Sequence, residues 1–251
     1  ASLEDVEQFF RTYYAPNNAV LSIVGDFDEA QARELVQRYF GEIPRGPDIP
    51  PIPGRTELPP LLGGAVHATV EQDISLARVY MAYRTPPYGS DEWYAALVAS
   101  YILANGRAAL LYRTLVREQQ VAQDVVAYAF PIVVGAAMLV LWATARPSTD
   151  MDTLERAVSD QVAALAQVSD ADVERAVALI EASNLSELQT VGERADQLSM
   201  HATLFDDPHR VNTEIGRVRA VTTADARAFA QRYLQPENSA VLRYVPKGGA
   251  A

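Results

Sequence analysis

The sequence contains no cysteine, which excludes disulfide bonds, thiolate metal ligands and a thiol nucleophile. Without cysteine usage as a guide, a periplasmic and a cytoplasmic location both stay open. Basic residues are in the minority, with 21 Lys and Arg against 32 Asp and Glu and a net charge of -11. Because such a chain repels a phosphate backbone, we expect no nucleic-acid partner.

Signals for membrane insertion and for export are also weak. The uncharged run at residues 125–145 is long enough to cross a bilayer, but Pro131 and Gly135 interrupt its centre. Its flanks are β-branched and aromatic, which favours two buried strands joined by a turn, so we predict no membrane span. The first ten residues, ASLEDVEQFF, lack a basic segment and an apolar signal core.

The remaining composition is typical of a globular protein, with 251 residues, 49% of them hydrophobic and 21% charged. Helical patterns are grouped apart from strand patterns, so we predict an α+β fold: a two-layer domain with a mixed, mainly antiparallel sheet and helices on one face. Strands are predicted at residues 19–25, 66–72, 77–85, 123–130, 137–145 and 239–245. Helices are predicted from Ser2 to Ala15 and at 29–40, 91–105, 107–118, 151–167, 170–200, 210–218 and 222–234.

The two ends of the chain contain an internal repeat. The segment SLEDVEQFFRTYYAPNN aligns without gaps to TTADARAFAQRYLQPEN, 220 positions later. Both copies begin with a hydroxyl cap followed by Asp at the third helical position, place Phe and Tyr four residues apart, and end at Pro before an apolar strand. Only the second copy follows a long body of chain, so we expect the domain of the first copy to be truncated.

The residues around the first copy resemble a known family. The run YYAPNNAVLSIVGDFD at 13–28, the helix end RYFGEIP at 38–44 and the segment from Gly41 to Gly64, which holds seven of the fifteen prolines, are similar to the middle of the pitrilysin/insulinase zinc metalloproteases. In that family two similar α+β domains enclose a peptide-binding chamber. The resemblance implies that residues 1–44 are the tail of a truncated zinc-bearing domain, 45–64 a proline-rich linker, and 65–251 the inactive C-terminal domain.

The family's zinc motif, H-x-x-E-H, is absent from this sequence. The three histidines are His67, His201 and His209, and no two are four residues apart, so no helical histidine pair can form. We expect each to be a surface or cap histidine. The helix that corresponds to the zinc helix reads WYAALVASYIL and can only pack. The resemblance therefore implies zinc in the parent protein and none bound to this chain.

Active relatives also place an Arg, and a Tyr seven residues later, against the substrate. Arg117 occupies the Arg position, where a guanidinium can bind a peptide carbonyl or carboxylate; a solvated arginine at a helix end is the alternative. Position 124 is Asp instead of Tyr. The nearest tyrosine, Tyr128, lies on the same strand face roughly 13 Å further along, with core packing as its alternative. Arg117 and Tyr128 are the predicted substrate-binding residues.

The sequence therefore favours the non-catalytic C-terminal part of a zinc-dependent metalloendopeptidase, with this part closing the chamber and binding a peptide substrate. The chain alone is predicted to be inactive. Its expected partners are the N-terminal zinc-bearing half and, because the Tyr is absent, a second family chain in a homo- or heterodimer. The alternative is a non-catalytic structural or peptide-binding subunit of the same fold, and the two differ in whether H-x-x-E-H precedes this chain.

Overall fold

A computed structural model of the chain describes residues 1–51, 58–59 and 61–247. It divides into two compact units, here called the first unit (Ala1–Gly54 with Ser183–Glu214) and the second unit (Arg55–Ala182 with Ile215–Ala251). The domain division predicted at residues 44 and 64 stays a prediction, and part of the predicted linker lies outside the described residues.

The helices and strands follow one another along the chain in a largely segregated order. They are α1 (Leu3–Tyr13), α2 (Glu29–Phe40), β1 (Val66–Gln72), β2 (Arg78–Thr85), α3 (Asp91–Ala104), β3 (Ala122–Phe130), β4 (Ala137–Ala145), α4 (Met151–Ala164), α5 (Asp170–Glu187), α6 (Val191–Phe205), α7 (Glu214–Arg219), α8 (Thr223–Tyr233) and β5 (Ser239–Pro246). Short 3-10 turns follow α1 at Pro16–Asn18 and α8 at Pro236–Asn238.

The second unit is built on a five-stranded sheet with the order β1-β5-β2-β4-β3. The pair β1 and β5 is parallel, and the other three pairs are antiparallel. The prediction of a mixed, mainly antiparallel sheet is confirmed. The long uncharged run forms strands β3 and β4, as predicted. In the described part of the chain, no helix combines the length and the apolar character needed to cross a bilayer.

The two faces of this sheet differ in what covers them. On β2, Val79, Met81 and Tyr83 are buried, and the Ser159 hydroxyl of α4 lies 4.0 Å from the Met81 sulfur, so this face carries the helices. The alternate residues Arg78 and Tyr80 point to the other face and are only half-buried. Because successive strand residues point to opposite faces, the buried set marks the face that the helices cover and the half-buried set marks the other face. The prediction of helices on one face of the sheet is confirmed. We call the other side the open face.

Helices α1 and α2 of the first unit have side-chain caps at their N-termini, but neither helix contains a buried residue. Ser2 and Asp5 form the predicted capping box of α1, and Asp28 caps α2. The strand predicted at residues 19–25 is wrong: Ala19 has extended backbone angles, but the segment pairs with no strand of the described chain. An apolar run favours extended backbone, yet a strand needs a neighbour to accept and donate its backbone hydrogen bonds.

Three predicted helices also differ from the structure. The helix predicted at 170–200 is two helices, α5 and α6, because the Thr190 side chain accepts the Glu193 N–H and starts a new helix. The helix predicted at 107–118 is mainly a π-helix, Tyr112–Glu118. The short helix predicted at 210–218 is a 3-10 turn, Pro208–Asn212, followed by α7.

Candidate functional site

Arg117 lies near the end of the π-helix. The Gln119 N–H donates to the Thr114 carbonyl at 2.8 Å, so the ring closes over five residues instead of four. Such turns are rare and recur at functional sites. The Arg117 side chain is exposed, and it forms no hydrogen bond or ion pair with any described residue. The structure therefore presents a guanidinium that is available to a ligand.

The backbone before and after Arg117 is fixed by hydrogen bonds and by an unusual conformation at Gln120. After it, Gln120 has φ 56°, a left-handed conformation that non-glycine residues seldom adopt. The Val121 N–H donates to the Leu115 carbonyl at 3.0 Å, and the Arg146 side chain donates to the Val116 carbonyl at 3.4 Å. These bonds fix the backbone position from which the exposed Arg117 side chain projects.

Asp124 and Tyr128 both lie on β3 and point to the open face. Asp124 is half-buried and stands opposite Thr144 of β4, just after a register shift in the β3–β4 ladder. Tyr128 is 49% exposed and packs edge-to-face on Phe130 at 4.9 Å between ring centroids. The core alternative for Tyr128 is therefore wrong. Within the described chain, no hydrogen bond or ring contact joins Tyr128 to Arg117.

A polar group on the open face was missed at the sequence level. The Arg78 Nε–H donates to the Thr144 hydroxyl at 2.8 Å, and an Arg78 Nη1–H donates to the Tyr80 hydroxyl at 3.2 Å. The Tyr80 ring lies 5.8 Å from Trp142 and 5.7 Å from Tyr244, centroid to centroid. The alternation in ARVYMAYRT places Arg78 and Tyr80 on one face, but their partners are on other strands and only the sheet register reveals them.

The three histidines have different surroundings. His67 on β1 is exposed, with Nδ1 3.9 Å from Glu155 Oε1, and His209 is exposed in the 3-10 turn. His201 on α6 is 1% exposed, so the expectation of a surface or cap histidine is wrong there. Its ring packs beside Phe205 in the first unit, and burial lowers the pKa of the imidazole.

The described residues of this chain do not fit a zinc site. Nowhere in the described ranges do three His, Asp or Glu side chains come close enough together to hold a metal ion. Helix α3, which stands at the place of the family's zinc helix, is buried over most of its length and carries no histidine. The described residues thus form a two-layer α+β domain that combines an exposed arginine with no cluster of metal-binding side chains.

Comparisons with known proteins agree with this class. The family described as the peptidase M16 inactive domain matches residues 1–180. The chain therefore belongs to the peptidase M16 inactive domain family. The resemblance to zinc metalloproteases noted from the sequence is confirmed.

Individual relatives support the same assignment. The zinc protease PqqE of Helicobacter pylori is 28% identical over 124 residues, which are 49% of this chain and 28% of that protein. The crystal structure of a protease from Helicobacter pylori has a TM-score of 0.88 and 20% identity, and the match covers 98% of this chain and 60% of that chain. A chain of complex III2 from Candida albicans has a TM-score of 0.79 and 16% identity over 97% of this chain and 59% of its own. This chain spans less than two thirds of each.

Proposed function

We propose that this chain is the non-catalytic C-terminal part of a zinc-dependent metalloendopeptidase that hydrolyses peptides in a two-domain chamber. This part closes the chamber and binds the substrate, while a zinc-bearing half supplies the metal and the general base. Family membership and the curated relative's description as a zinc protease support the proposal.

The observation that carries the proposal is the uncovered apolar surface of α1. Leu3, Val6, Phe9 and Phe10 are 75%, 44%, 52% and 50% exposed. A surface of this kind on a capped helix marks an interface. Phe229, the repeat counterpart of Phe9, is 3% exposed in the core of the second unit. We therefore infer that a second domain, with a sheet and helices like those of the second unit, covers α1 in the parent protein.

In this proposal Arg117 and Tyr128 contact the substrate. A guanidinium on a fixed backbone can donate to a peptide carbonyl or to the oxyanion that forms when water attacks it. The Tyr128 hydroxyl adds a donor from the exposed part of β3. Asp124 stands where active relatives have a tyrosine. A carboxylate accepts hydrogen bonds and a tyrosine hydroxyl donates one, so Asp124 does not replace that tyrosine. In this proposal a second family chain in a dimer supplies the missing hydroxyl donor.

The test is to express this chain together with its preceding zinc-bearing half and to measure zinc content and chelator-sensitive cleavage of a quenched peptide. We expect stoichiometric zinc and activity that this chain alone lacks. Arg117→Gln should lower kcat/KM at least about tenfold, because a charge-assisted donor is lost. Arg113→Gln, an exposed arginine of the same π-helix, is the matched control and should leave kcat/KM unchanged.

The second candidate is a non-catalytic structural or peptide-binding subunit. The likeness to a chain of complex III2 favours it, since that chain shares the fold over 97% of this one. The two candidates separate in one experiment. A preceding half without H-x-x-E-H, without bound zinc and without cleavage would support the subunit and contradict the protease.

A further inference from the structure

We propose that the helix-covered side of the second unit carries a pocket that binds a primary ammonium group on an apolar chain, with Glu155 as the residue that binds the charge. A cavity of about 380 Å³ is lined by residues of strands β1, β2 and β5 and of helices α4 and α8. Met81 and Tyr83 of β2 lie in its wall, so the cavity is on the opposite side of the sheet from the open face. A cavity of this volume accommodates a small organic ligand.

The wall of this cavity is largely apolar. Val162 of α4, Ala230 of α8 and Val241 of β5 line it and are buried. Gln235 and Pro236, which follow α8, also line it but are exposed, so the cavity is open to solvent where they lie. An aliphatic chain that enters there can bury its surface against the apolar side chains, which removes hydrocarbon from water.

One polar group in the buried part of the wall is poorly paired. The Tyr83 side chain is 4% exposed, and its hydroxyl lies 3.9 Å from the Met81 sulfur, which is a weak acceptor. The hydroxyl oxygen accepts no hydrogen bond from any described residue. Buried hydroxyl groups are usually paired, so this oxygen is available to a ligand N–H or O–H. Burial, together with the charge of Glu155, raises the pKa of Tyr83 to about 12, so the hydroxyl stays neutral near neutral pH.

Glu155 of α4 is the only acidic side chain among the described residues that line the cavity. Its Oε2 accepts a hydrogen bond from the Arg243 Nε–H at 2.6 Å. Its Oε1 accepts none from the described chain, and the His67 Nδ1 atom, at 3.9 Å, is beyond hydrogen-bond distance. The Glu155 side chain is 16% exposed, so Oε1 is an acceptor that solvent reaches only in part.

The charge around Glu155 is not balanced. Arg243 also pairs with Asp152 at 2.8 Å, so one guanidinium is shared by two carboxylates and the three side chains keep one net negative charge. A partly desolvated carboxylate that is only half paired costs free energy, and a cationic ligand offsets that cost. An ammonium group has three N–H donors, which is enough for both Glu155 Oε1 and the Tyr83 hydroxyl oxygen. The cavity therefore favours an alkylammonium over an anion or a pure hydrocarbon.

The inference goes beyond the proposed function and does not depend on it, so its test uses this chain alone without zinc. NMR titration of the methionine-methyl-labelled chain measures the dissociation constants of n-hexylammonium and of n-hexanol, which share one apolar chain and differ in charge. Met81 is the only methionine among the described residues that line the cavity, so a shift of its methyl signal locates the binding. We expect the ammonium to bind about tenfold more tightly, as for one charge-assisted contact, and Glu155→Gln to abolish that difference.

Two further variants sharpen the test. Asp152→Asn is the matched control, because Asp152 lies on the same helix and pairs with the same Arg243 but does not line the cavity. It removes the same charge and should keep the preference for the ammonium. Tyr83→Phe should weaken binding of both probes about threefold, since each can donate to the hydroxyl oxygen, and should leave the preference between them unchanged.

A third probe distinguishes two sources of the ammonium group. Nα-acetyl-lysine methylamide presents it on a lysine side chain, as a peptide or protein partner would. Binding as tight as that of n-hexylammonium supports a lysine side chain as the ligand, and clearly weaker binding supports a free aliphatic amine.

Equal binding of ammonium and alcohol, a preference that survives Glu155→Gln or is lost equally in Asp152→Asn, or no shift of the Met81 methyl signal at millimolar concentration would overturn the inference. The comparison of the two probes in the unmodified chain needs no variant, so it decides the matter even where a variant fails to fold. None of these results touches the proposed function, which is measured by zinc content and cleavage in the parent protein. Conversely, a parent protein without zinc or cleavage overturns the protease while an ammonium preference in this chain still stands.

Discussion

The two copies of the internal repeat have nearly the same local structure and very different surroundings. Both begin with a capping box, Ser2 with Asp5 and Thr222 with Asp225, and both helices are 11 residues long. In both, an asparagine after the helix donates its side-chain amide to a tyrosine carbonyl, from Asn18 at 2.9 Å and from Asn238 at 2.6 Å. The local sequence therefore determines the capping box, the helix length and this hydrogen bond in both copies.

The surroundings differ because only the second copy packs on a sheet. Phe229 and Tyr233 are 3% and 1% exposed, and the segment after Asn238 becomes β5, which pairs with β1 and β2. Phe9 is 52% exposed, and the segment after Asn18 pairs with no described strand. Burial is therefore a property of the domain around the repeat, and the first copy retains an apolar face suited to a partner.

The largest expected contrast is between the paired phenylalanines. Phe229→Ala should lower the free energy of unfolding of the second unit by about 3–5 kcal/mol, because it removes buried surface and leaves a cavity. Phe9→Ala should cost less than about 1 kcal/mol in this chain, since the side chain is already half in water. Both tryptophans, Trp93 and Trp142, lie in the second unit, so their fluorescence in a denaturant titration measures the Phe229→Ala loss, and hydrogen exchange of the α1 amides measures the Phe9→Ala loss in the first unit.

If the proposed zinc-bearing half covers α1, the effect of Phe9→Ala should become larger in its presence. When that half is present, Phe9→Ala should weaken its association, while the tryptophan transition of the second unit stays where it was. Similar losses from Phe9→Ala and Phe229→Ala in the isolated chain would show that the exposed face is already covered, and would contradict the proposed partner.

The paired asparagines should show a smaller contrast of the same sign. Asn238 is 2% exposed; its amide also donates to the Arg84 carbonyl at 2.8 Å, and its Oδ1 accepts the Leu62 N–H at 2.6 Å. Asn238→Ala leaves several buried polar groups unpaired and should cost about 2–3 kcal/mol in the denaturant titration. Asn18→Ala removes an exposed bond and should cost about 0.5 kcal/mol. Equal costs would mean that burial does not set the value of this bond.

Most of the elements could be predicted from the sequence, because caps, periodicity and turn residues act over a few positions. The unpaired segment at 19–25 could not be, since an apolar run looks the same whether or not a neighbouring strand is present. The start of α6 could have been predicted from Thr190 and Glu193, which have the three-residue spacing of a helix cap. The helical pattern of the surrounding residues favoured one continuous helix instead. The π-helix depends on packing over more than one turn and has no short signature.

The candidate site residues also include some that the sequence predicts and some that it does not. Arg117 was found because a family pattern marks its position, and the structure adds the π-helix and the left-handed Gln120 that hold its backbone. Arg78 was missed because its partner Thr144 is 66 residues away in the chain. His201 was misjudged because a single histidine in a helix gives no sign of which face is buried.

Acid should distinguish the two units. His201 in the first unit is buried, and its Nδ1 has no hydrogen-bond partner among the residues that the structure describes. Burial lowers the pKa of its imidazole from the ordinary value of 6.5; Glu214 and Asp207 raise this pKa, and Arg210 lowers it. Because the unfolded chain takes up the proton first, the stability of the first unit should fall as the pH drops below about 6.5.

Hydrogen exchange of the α6 amides between pH 7 and pH 5, corrected for the intrinsic exchange rate, measures this loss. The tryptophan transition of the second unit should change less over the same range, because His201 lies in the first unit. His201→Gln removes the titrating group and should flatten the pH dependence of α6. A dependence that persists in the variant would assign the effect to other groups.

The smallest expected difference is at the helix caps, where the two copies should behave alike. The Ser2 N–H donates to Asp5 at 2.7 Å and the Thr222 N–H to Asp225 at 2.9 Å, and the hydrogen bonds from Ser2 and from Thr222 hold the pKa of each Asp below its ordinary 3.8. The stabilisation by each carboxylate is therefore present above pH 3.8 and lost as the pH falls through the lowered value. Thr222→Ala should cost about 1 kcal/mol, and Ser2→Ala should loosen α1 in the same direction.

Exchange rates of the first-turn amides of α1 and α8 measure both caps in one sample. A cap acts within one turn of its helix, so its effect does not depend on whether the far face of that helix is covered. A cap effect in α8 with none in α1 would mean that α1 is not a stable helix in this chain alone. In that case the first copy would need its partner domain to fold as well as to be buried, and the local equivalence of the two copies would be lost.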